Sequence, residues 1–498
     1  MRIAVTSSEA VPFAKTGGLA DVATGLSRAL AAADHEVTLI VPYYPRHVPV
    51  DLPCPEIGTT VTVRVGQKVV EAGLRRAELP DSRLRVILVD QPMYFDRPGL
   101  YTQQGHDYPD NCERFVFFSR AVLETCVRLD LRPDVIHAND WQTSLLPLLL
   151  EVDYRHQSGL KSAGTVLTIH NLAFQGRFWK WDMLLTGLDW KHFNWRQLEF
   201  WGDINLLKSG IVTADMITTV SPTYAREICT TEFGCGLETA LSHRGEDLVG
   251  ILNGVDTDVW NPACDHRLAR QYSISNVADG KAVCKTDLQR ELGLPARHDA
   301  PLFGMISRMT EQKGFDLIAA TAERHLQHDL QMVFLGTGQS HYENLVRDLA
   351  SRYPDKVAAF VGFDEGLAHR IEAGADCYFM PSRFEPCGLN QMYSLIYGTV
   401  PVVNAVGGLA DSVVDATPEA IADGSGNGFV LSEYSTEALI AQVDRAVDLY
   451  HDTPTWQQIV RNGMGRDWSW NQSAARYVDV YRRAHGRHAV PIARHADS

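Results

Sequence analysis

The amino-acid sequence predicts an α/β protein built from two Rossmann-like domains, each with a parallel β-sheet, that face a cleft. The chain has 498 residues, more than one hydrophobic core usually organises, so two domains are expected. Short β-branched segments alternate with helical patterns, as is typical of parallel sheets covered by helices on both faces. This alternation ends near the middle of the chain and then restarts, which indicates two α/β halves of similar size.

The first half contains six predicted strands with helical patterns between them. The helical patterns include Gly18–Ala33 and Asn111–Arg128. The strands are the short apolar segments Arg2–Thr6, Glu36–Val41, Arg85–Val89, Asp134–His137, Thr165–Ile169 and Met216–Val220. Because open parallel sheets bind ligands outside the carboxyl ends of their strands, polar motifs that directly follow a strand are candidates for function.

The second half repeats the pattern with six further strands. They are predicted at Leu302–Ser307, Gln331–Leu335, Val357–Val361, Asp376–Met380, Val400–Val403 and Gly428–Leu431. The halves join near Gly250–Pro262, where the pair Asn253-Gly254 predicts a turn. We therefore expect a first domain at residues 1–250, completed by a C-terminal helix at about 466–498, and a second domain at residues 251–465.

The composition argues against several classes of protein. The chain has 46 Lys and Arg residues against 61 Asp and Glu, a net charge of −15, which argues against nucleic acid or an anionic membrane as the main partner. Nine cysteines without a CxxC pair predict reduced thiols and a cytoplasmic protein. No apolar segment is long enough to cross a bilayer, and the N-terminal residues do not read as a secretion signal.

A glycine-rich motif, Lys15-Thr16-Gly17-Gly18, follows the first strand and opens the first long helix. Two glycines let the backbone approach a ligand closely, and the free N–H groups of a helix start favour an anion. From the residues alone, an ordinary turn with a solvated lysine is the favoured interpretation, because the motif is short. It differs from GxGxxG, which weakens the case for a nicotinamide-dependent dehydrogenase.

Two cations follow the first strand of the second half. Arg308 and Lys313 are close enough in sequence to reach one pyrophosphate. The arginine would act as a bidentate hydrogen-bond donor and the lysine as a compact positive charge. Two solvated loop cations are an equally good interpretation of this motif.

The motif PSRFEPCGLNQ, residues 381–391, lies between a predicted strand and a predicted helix. Cys387, Gly388 and Leu389 are expected to begin that helix, so that its N–H groups hold phosphate or sugar groups. Glu385 is then placed to bond ligand hydroxyls. A helix cap with a buried cysteine is the alternative, but a glutamate beside a proline at the end of a strand favours function. Cys387 has no evident base that would make it a nucleophile.

Two more motifs follow strands. His170-Asn171 suits hydroxyl recognition, although a lone histidine is more often structural. In HANDWQT, His137 and Asp140 lack a third ligand at metal-binding spacing, so we favour Asp140 as a hydrogen-bonding carboxylate. Trp141 is equally well a core residue or a sugar platform. The absence of a GxSxG motif and of a Walker loop argues against serine hydrolases and P-loop enzymes.

Eight motifs together resemble the bacterial glycogen synthases, which are related to the plant starch synthases. They run in the family's order along nearly the whole chain: KTGGLADV, HANDWQT, TIHNLAFQG, TVSPTYAREI, GILNGVDTDVWNP, SRMTEQKGFDL, PSRFEPCGLNQ and VGGLADSV. The resemblance implies the GT-B glycosyltransferase architecture. It also implies transfer of glucose from ADP-glucose to the non-reducing end of an α-1,4-glucan, with retention at the anomeric carbon and without a metal or other cofactor.

The resemblance also implies roles for individual residues. The implied catalytic residues are His170 at the donor sugar, Arg308 and Lys313 at the departing diphosphate, and Glu385 at the glucose hydroxyls. The implied donor-binding residues are Lys15, Gly17, Gly18, Asn253, Gly336, Phe363, Cys387, Gly388 and Leu389. The implied acceptor or sugar-binding residues are Asp140, Trp141 and Asn171. The chain departs from the family where many relatives read RxTGGL, since Asn404 and Val406 replace the Arg and the Thr.

Other interpretations stay open at the level of the sequence. A glycosyltransferase of the same fold with a different nucleotide donor or a small sugar acceptor would share the donor-binding half. A phosphorylase would need pyridoxal phosphate, and a non-catalytic glucan-binding protein would be expected to lack some of the charged residues. The sequence does not decide whether ADP-glucose or UDP-glucose is the preferred donor, and it leaves open the oligomeric state, allosteric control and processivity.

Overall fold

The computed structural model of the chain describes residues 1–80 and 82–488. The chain divides into two compact units: unit 1 comprises Met1–Gly254 together with the chain from Trp470 onward, and unit 2 comprises Val255–Ser469. The expected junctions at residues 250 and 465 lie close to these boundaries. The expected end of the C-terminal helix at residue 498 lies outside the described residues.

Unit 1 contains fourteen strands within its described residues, and six of them are the predicted ones with ends that differ by a residue or two. The strands are β1 (Arg2–Thr6), β2 (Glu36–Pro42), β3 (Glu56–Val65), β4 (Lys68–Glu78), β5 (Arg85–Asp90), β6 (Thr102–Gln103), β7 (His106–Asp107), β8 (Val135–Asn139), β9 (Gly164–Ile169), β10 (Arg177–Phe178), β11 (Glu199–Phe200), β12 (Asp203–Asn205), β13 (Met216–Thr219) and β14 (Leu248–Gly250).

The main sheet of unit 1 has nine strands in the order β14-β13-β9-β8-β1-β2-β5-β4-β3. The pairs from β14 to β5 are parallel, with Ile3 of β1 opposite Val37 on one side and Val135 on the other. Chain order reverses between β1 and β8, so the loops after these two strands border the crevice in which such sheets bind ligands.

Three groups of antiparallel strands in unit 1 were not predicted from the sequence. The hairpin β3–β4 extends the main sheet beyond β5, the strands β10, β12 and β11 form a separate small sheet, and β6 and β7 pair only with each other. In β3 only alternate residues, including Val61, Val63 and Val65, are buried. A strand that is covered on one face lacks the continuous apolar run by which the parallel strands were recognised.

The helices of unit 1 lie between the strands, as predicted. Helix α3 has the predicted bounds, and α1 ends one residue before its predicted end. The helices are α1 (Gly18–Ala32), α2 (Pro92–Phe95), α3 (Asn111–Arg128), α4 (Leu146–Leu149), α5 (Met183–Thr186), α6 (Leu206–Thr213), α7 (Pro222–Glu227) and α8 (Glu238–Ser242). The start of α7 shows why it forms: Ser221 Oγ accepts a hydrogen bond from Tyr224 N at 2.9 Å, and Pro222 occupies the first helical position.

Unit 2 contains one parallel sheet of six strands in its described residues, and all six were predicted. The strands are β15 (Leu302–Ile306), β16 (Gln331–Gly336), β17 (Val357–Val361), β18 (Cys377–Met380), β19 (Val400–Asn404) and β20 (Phe429–Leu431). Their order, β17-β16-β15-β18-β19-β20, is that of a doubly wound sheet. The predicted α/β class with parallel sheets is therefore confirmed. Chain order reverses between β15 and β18.

Helices cover both faces of the unit 2 sheet. They are α9 (Val277–Glu291), α10 (Phe315–His325), α11 (Ser340–Arg352), α12 (Glu365–Gly374), α13 (Asn390–Tyr397), α14 (Gly407–Ser412), α15 (Pro418–Ala422), α16 (Thr436–His451) and α17 (Thr453–Met464). The core between them is apolar and aromatic, with the rings of Phe303 and Phe379 stacked at 4.8 Å between centroids on neighbouring strands.

The helix after unit 2, α18 (Trp470–Gly486), belongs to unit 1. It buries one face at helical spacing, which includes Trp470, Tyr477 and Tyr481. Gly25 and Gly164 give it close approach, because a Cβ at either glycine would overlap α18 atoms. No helix among the described residues combines the length and the apolarity needed to cross a membrane.

Candidate active site

The strongest candidate site in unit 2 lies at the carboxyl ends of β15 and β18, where chain order reverses. A cavity of about 210 Å³ opens between the loops that follow these strands. Its lining contains three of the four predicted catalytic residues, together with parts of the strands and of the loop after β18: Met305, Ile306, Ser307, Arg308, Lys313, Tyr378, Phe379, Met380, Ser382, Glu385, Gly388, Leu389 and Asn390.

Lys313 and Glu385 form an ion pair in this cavity. Lys313 Nζ lies 2.5 Å from Glu385 Oε2, and the same carboxylate oxygen accepts a hydrogen bond from Ser382 Oγ at 3.2 Å. The Glu385 side chain is only 8% exposed. Both of these interactions reach Oε2, and Oε1 has no hydrogen-bond partner among residues 1–80 and 82–488. The carboxylate is thus held in place with one oxygen open to a ligand.

Close backbone contacts fix the loop that carries Glu385. Gly314 and Gly407 have φ values of +82° and +43°, which favour glycine, and a Cβ at these positions would overlap the carbonyl oxygens of Pro381 and Glu385 respectively. Asn404, at the position of the family's arginine, is buried and donates its side-chain N–H to Ser382 O at 3.0 Å. Asn404, which replaces the arginine of RxTGGL, therefore supports the loop that carries Glu385.

Arg308 lies at the mouth of the cavity. Its side chain is exposed and makes no hydrogen bond or ion pair within the described part of the chain. The next residue, Met309, is held by its N–H donating to Thr337 O at 2.8 Å. Gly336, with φ +152°, lies at the end of β16, where a Cβ would overlap Ser307 O. Gly336 thus lets the loop after β15 pack against β16.

Helix α13 begins later than expected. Cys387, Gly388 and Leu389 were expected to open it, but the first helical residue is Asn390. Gly388 has φ +72°, a left-handed conformation that a right-handed helix cannot contain. Gly388 and Leu389 still line the cavity, and Cys387 is buried with 5% exposure. Asn390 Nδ2 donates to Ile306 O at 2.9 Å, which joins the start of α13 to the end of β15.

Phe363 lies at the same edge of the unit 2 sheet. It follows β17 and its side chain is 90% exposed. A ring that is free at the carboxyl edge of a parallel sheet is available to stack on a planar group.

In unit 1, Glu9 holds the glycine-rich loop that follows β1. Its buried carboxylate accepts hydrogen bonds from Thr16 N at 2.5 Å, Thr16 Oγ1 at 2.6 Å and Tyr101 OH at 2.7 Å, with a longer one from Gly17 N at 3.4 Å. The side chain of Lys15 is 54% exposed and pairs with Asp21 Oδ1 at 2.8 Å. Gly17 and Gly18 lie at the start of α1, as predicted.

Asp140 and His170 lie together at the ends of β8 and β9. Asp140 Oδ1 accepts a hydrogen bond from His170 N at 2.7 Å. Burial raises the pKa of the Asp140 carboxyl to about 7, against the backbone N–H groups of His170 and Asn171, which lower it. Burial also lowers the pKa of His170 to about 3, so its imidazole is neutral at pH 7.

The hydrogen bonds of Asn139 assign the tautomer of His170. Asn139 Nδ2 donates to Thr6 O at 3.0 Å, which turns Oδ1 toward His170 Nε2 at 2.9 Å. Since a side-chain carbonyl only accepts, Nε2 carries the proton and donates. Nδ1 of His170 then remains as an acceptor for a ligand hydroxyl.

The remaining predicted residues of unit 1 have mainly local contacts. Trp141 is 9% exposed and packs between Phe115 and Phe178, so the core interpretation fits it better than a sugar platform. Asn171 Oδ1 accepts a hydrogen bond from Ala173 N at 3.0 Å, which closes a turn. Asn253 is buried, and its Oδ1 has no partner among the described residues.

His137 is a core residue. It is fully buried, and its ring nitrogens lie 2.6 Å from Thr168 Oγ1 and 2.9 Å from Tyr481 OH. Burial lowers its pKa to about 3. The described residues contain no group of three or more His, Cys, Asp or Glu side chains placed to hold a metal ion.

The sequence analysis did not predict four residues that support the loops of these sites: Glu9, Asn139, Ser382 and Asn404. Glu9 and Asn139 each stand at a strand end, next to a motif that was recognised, so their position offered a signal. Ser382 lies within the recognised motif PSRFEPCGLNQ, three residues before the Glu385 that it contacts. Asn404 contacts Ser382 across 22 residues of the chain, which no local pattern reveals.

Comparisons with known proteins agree with the resemblance. Residues 2–243 match the family model described as the starch synthase catalytic domain, and residues 292–464 match the one described as glycosyl transferases group 1. The glycogen synthase of Anaeromyxobacter dehalogenans (strain 2CP-C) is 48% identical over 487 residues, 97% of this chain and 99% of that protein. The glycogen synthase of Rhodopirellula baltica is 43% identical over 495 residues, 97% and 98% of the two chains.

Solved structures show the same likeness. The catalytic domain of starch synthase IV from Arabidopsis thaliana, bound to ADP and acarbose, has a TM-score of 0.90 and 33% identity, covering 97% of this chain and 99% of that one. A sucrose-phosphate synthase from Thermosynechococcus elongatus, with a TM-score of 0.60 and 18% identity, shares the fold alone. With relatives this similar over nearly its full length, the chain belongs to the glycogen synthase family and is a glucosyltransferase of glycogen or starch synthesis.

Proposed function

We propose that this enzyme transfers glucose from ADP-glucose to the non-reducing end of an α-1,4-glucan, with retention of the anomeric configuration. The observation that carries the proposal is the Lys313–Glu385 pair beside the unpartnered Arg308 at the β15–β18 crevice. The Arabidopsis starch synthase holds ADP and acarbose, which supports an adenine nucleotide and an oligosaccharide as ligands here. The nine free cysteines support action in the cytoplasm.

The diphosphate is the part of the donor that most needs positive charge. Arg308 is free to give two parallel N–H donors to phosphate oxygens, and Lys313, held beside Glu385, adds a compact positive charge. As the bond between C1 and the phosphate oxygen lengthens, negative charge grows on that oxygen, and these cations stabilise it. The two side chains supply this charge without a metal ion. Lys15, Gly17 and Gly18 of unit 1 and Phe363 of unit 2 are proposed as further donor contacts.

The glucosyl group needs fixed hydrogen-bond acceptors. Glu385 Oε1 is the open oxygen of a carboxylate held by Lys313 and Ser382, and it would accept from sugar hydroxyls and stabilise positive charge on the ring. Nδ1 of neutral His170 would accept from another hydroxyl. The acceptor's 4-hydroxyl then attacks C1 on the face that the diphosphate leaves, and its proton passes to the leaving phosphate. Retention follows from this geometry without a covalent enzyme intermediate.

The proposal is tested by transfer of labelled glucose, using ADP-glucose and UDP-glucose as donors and glycogen and maltose as acceptors. We expect transfer of glucose from ADP-glucose to both acceptors, and this activity should persist when EDTA is added. Proton NMR should show an α-linked product. Glu385→Gln and Lys313→Ala should each lower kcat at least about a hundredfold, since each removes electrostatic stabilisation of the transition state.

Two exposed positions provide matched controls for these variants. Glu419→Gln and Lys161→Ala make the same chemical changes at exposed residues and should leave kcat unchanged. Near-normal turnover in Glu385→Gln or Lys313→Ala, a β-linked product, or a strict preference for UDP-glucose would contradict the proposal.

A further inference from the structure

A buried tyrosine, Tyr378, stands where two neighbouring strands of unit 2 separate to form the cavity of the candidate site. Strand β15 pairs with β16 along its whole length. Its pairing with β18 ends earlier, at Gly304 opposite Tyr378. The last two residues of β15, Met305 and Ile306, therefore lie beyond this pairing, and both line the cavity.

The early end of the pairing leaves the backbone groups of Ile306 in need of partners. The N–H of the next residue, Ser307, donates to Leu335 O of β16 at 3.1 Å. Because successive residues of a strand direct their N–H and C=O groups to opposite neighbours, those of Ile306 point toward β18. A backbone group that is shielded from water and lacks a partner destabilises the fold, so a group on the β18 side has to bond to Ile306.

The hydroxyl of Tyr378 bonds to both backbone groups of Ile306. It donates to Ile306 O at 2.8 Å, and it accepts hydrogen bonds from Ile306 N at 3.0 Å and from Asn390 Nδ2 at 2.6 Å. One donor and two acceptor sites are all that a phenol offers, so the group is fully used. Burial raises the pKa of Tyr378 well above its usual value, so the hydroxyl keeps the proton that Ile306 O accepts.

The apolar core accounts for the ring of Tyr378 but not for its hydroxyl. The ring belongs to a buried cluster that a phenylalanine would fill equally well: Tyr378, Met380, Val403, Leu409 and Val413. The hydroxyl instead joins three segments that border the cavity, namely the end of β15, strand β18 and the first residue of α13. Its contacts thus serve the crevice between the strands.

The position of Arg308 depends on the contact between Tyr378 and Ile306. The residues on either side of Arg308, Ser307 and Met309, are bonded through their N–H groups to the β16 side of the sheet. Toward β18, the nearest bonded residue in the chain is Ile306, two residues before Arg308. A shift of Ile306 would therefore move the Arg308 guanidinium relative to the ion pair in the cavity.

We propose that Tyr378 is a positioning residue for glucose transfer, whose hydroxyl keeps the end of β15 at the distance from β18 at which Arg308 reaches the diphosphate of the donor. This inference rests on the proposed function for the identity of that ligand. Because the hydroxyl acts through Ile306 and Arg308, its contribution should disappear when the Arg308 side chain is absent.

Binding of ADP and AMP, measured by titration calorimetry, tests the inference without turnover. ADP has the diphosphate that Arg308 is proposed to bind, whereas AMP has a single phosphate. In Tyr378→Phe we expect the Kd for ADP to rise about tenfold and the Kd for AMP to change by less than about twofold. An equal change for the two nucleotides, or an unchanged Kd for ADP, would overturn the proposal.

Tyr272→Phe is the matched control. Tyr272 is also buried in unit 2, its hydroxyl donates to Tyr397 O at 2.8 Å, and it lies outside the cavity lining. Both substitutions remove a buried, hydrogen-bonded hydroxyl, so both should lower the melting temperature. Only Tyr378→Phe should weaken ADP binding. Weaker ADP binding in Tyr272→Phe as well would attribute the effect to a general loss of stability and would contradict the inference.

A double-mutant cycle with Arg308→Ala separates positioning from a purely structural role. Tyr378→Phe should raise the Kd for ADP about tenfold in the unaltered background but less than about twofold in the Arg308→Ala background. Effects of the two substitutions that multiply would show that they act independently and would overturn the proposal. In transfer assays, Tyr378→Phe should lower kcat about tenfold with an unchanged KM for glycogen; a raised KM for glycogen with normal kcat would contradict it.

Asn390→Ala provides a second variant if Tyr378→Phe does not fold. It removes a donor to Ile306 O and to the Tyr378 hydroxyl, while both bonds between Tyr378 and Ile306 remain. We expect the Kd for ADP to rise about threefold, and this rise should be absent in the Arg308→Ala background. Unchanged ADP binding in Asn390→Ala would contradict the inference. Failure of the proposed function itself would appear differently, as absence of ADP binding and of glucose transfer in the unaltered protein.

Discussion

The buried carboxyl of Asp140 makes the stability of unit 1 depend on pH in a direction opposite to that of most acidic groups. Its pKa is raised from 3.8 to about 7, chiefly by burial. Between these values the folded state keeps the proton and the unfolded chain releases it, so raising the pH favours unfolding. The pKa of Asp140 differs by about 3 units between the folded and unfolded states, which corresponds to at most about 4 kcal/mol of unfolding free energy. This stability is fully present below the unfolded-state pKa of 3.8 and is lost as the pH rises above the folded-state pKa of about 7.

The substitution Asp140→Asn removes this titration with little other change. Asparagine tolerates the φ of +55° at this position, and its side-chain oxygen can still accept from His170 N. The variant therefore resembles the protonated wild-type residue at every pH. Its unfolding free energy relative to the unaltered protein should rise by about 2.5 kcal/mol between about pH 5 and about pH 8.

Denaturant unfolding followed by tryptophan fluorescence measures this difference. The signal reports mainly on unit 1, which holds seven of the ten tryptophans: Trp141, Trp179, Trp181, Trp190, Trp195, Trp201 and Trp470. Asp51→Asn makes the same change at an exposed residue and serves as the control. A difference between Asp140→Asn and the unaltered protein that stays constant with pH would refute the reasoning, as would a variant that is less stable at about pH 8.

Three further changes test contacts at the two candidate sites and in the core of unit 1. Gly407→Ala should lower kcat and cost about 1–3 kcal/mol, since φ is +43° and the new Cβ would overlap Glu385 O; chemical denaturation and steady-state assays measure both. Tyr481→Phe should destabilise unit 1 by about 1–3 kcal/mol in urea titrations, because it leaves buried His137 without its 2.9 Å partner. Glu9→Gln replaces one carboxylate oxygen, which accepts hydrogen bonds, with an NH2 group that can only donate them, so the loop at Thr16 loses an acceptor. The KM for the nucleotide-sugar substrate should then rise about tenfold in initial-rate measurements while the overall fold is kept.

The order of elements could be read from the sequence because buried parallel strands are continuous apolar runs. All twelve predicted strands are present, and the charged motifs after β15 and β18 do line one cavity. The start of α13 could not be read in this way, because PSRFEPCGLNQ contains no local signal that Gly388 takes a positive φ. The hairpin β3–β4 and the small sheet escaped recognition because half-buried edge strands carry a weaker pattern.

Sequence alone determined the α/β class, the family and the residue types at the strand ends, since these depend on short-range patterns and on motifs that are contiguous in the chain. Tertiary structure decided which groups meet: Lys313 with Glu385 across 72 residues, and Asp140 with the backbone of His170 across 30. It also decided that Trp141 is buried while Trp179 and Trp201 are exposed. Burial and electrostatic environment are properties of the packed chain, because they depend on every segment that comes to lie nearby.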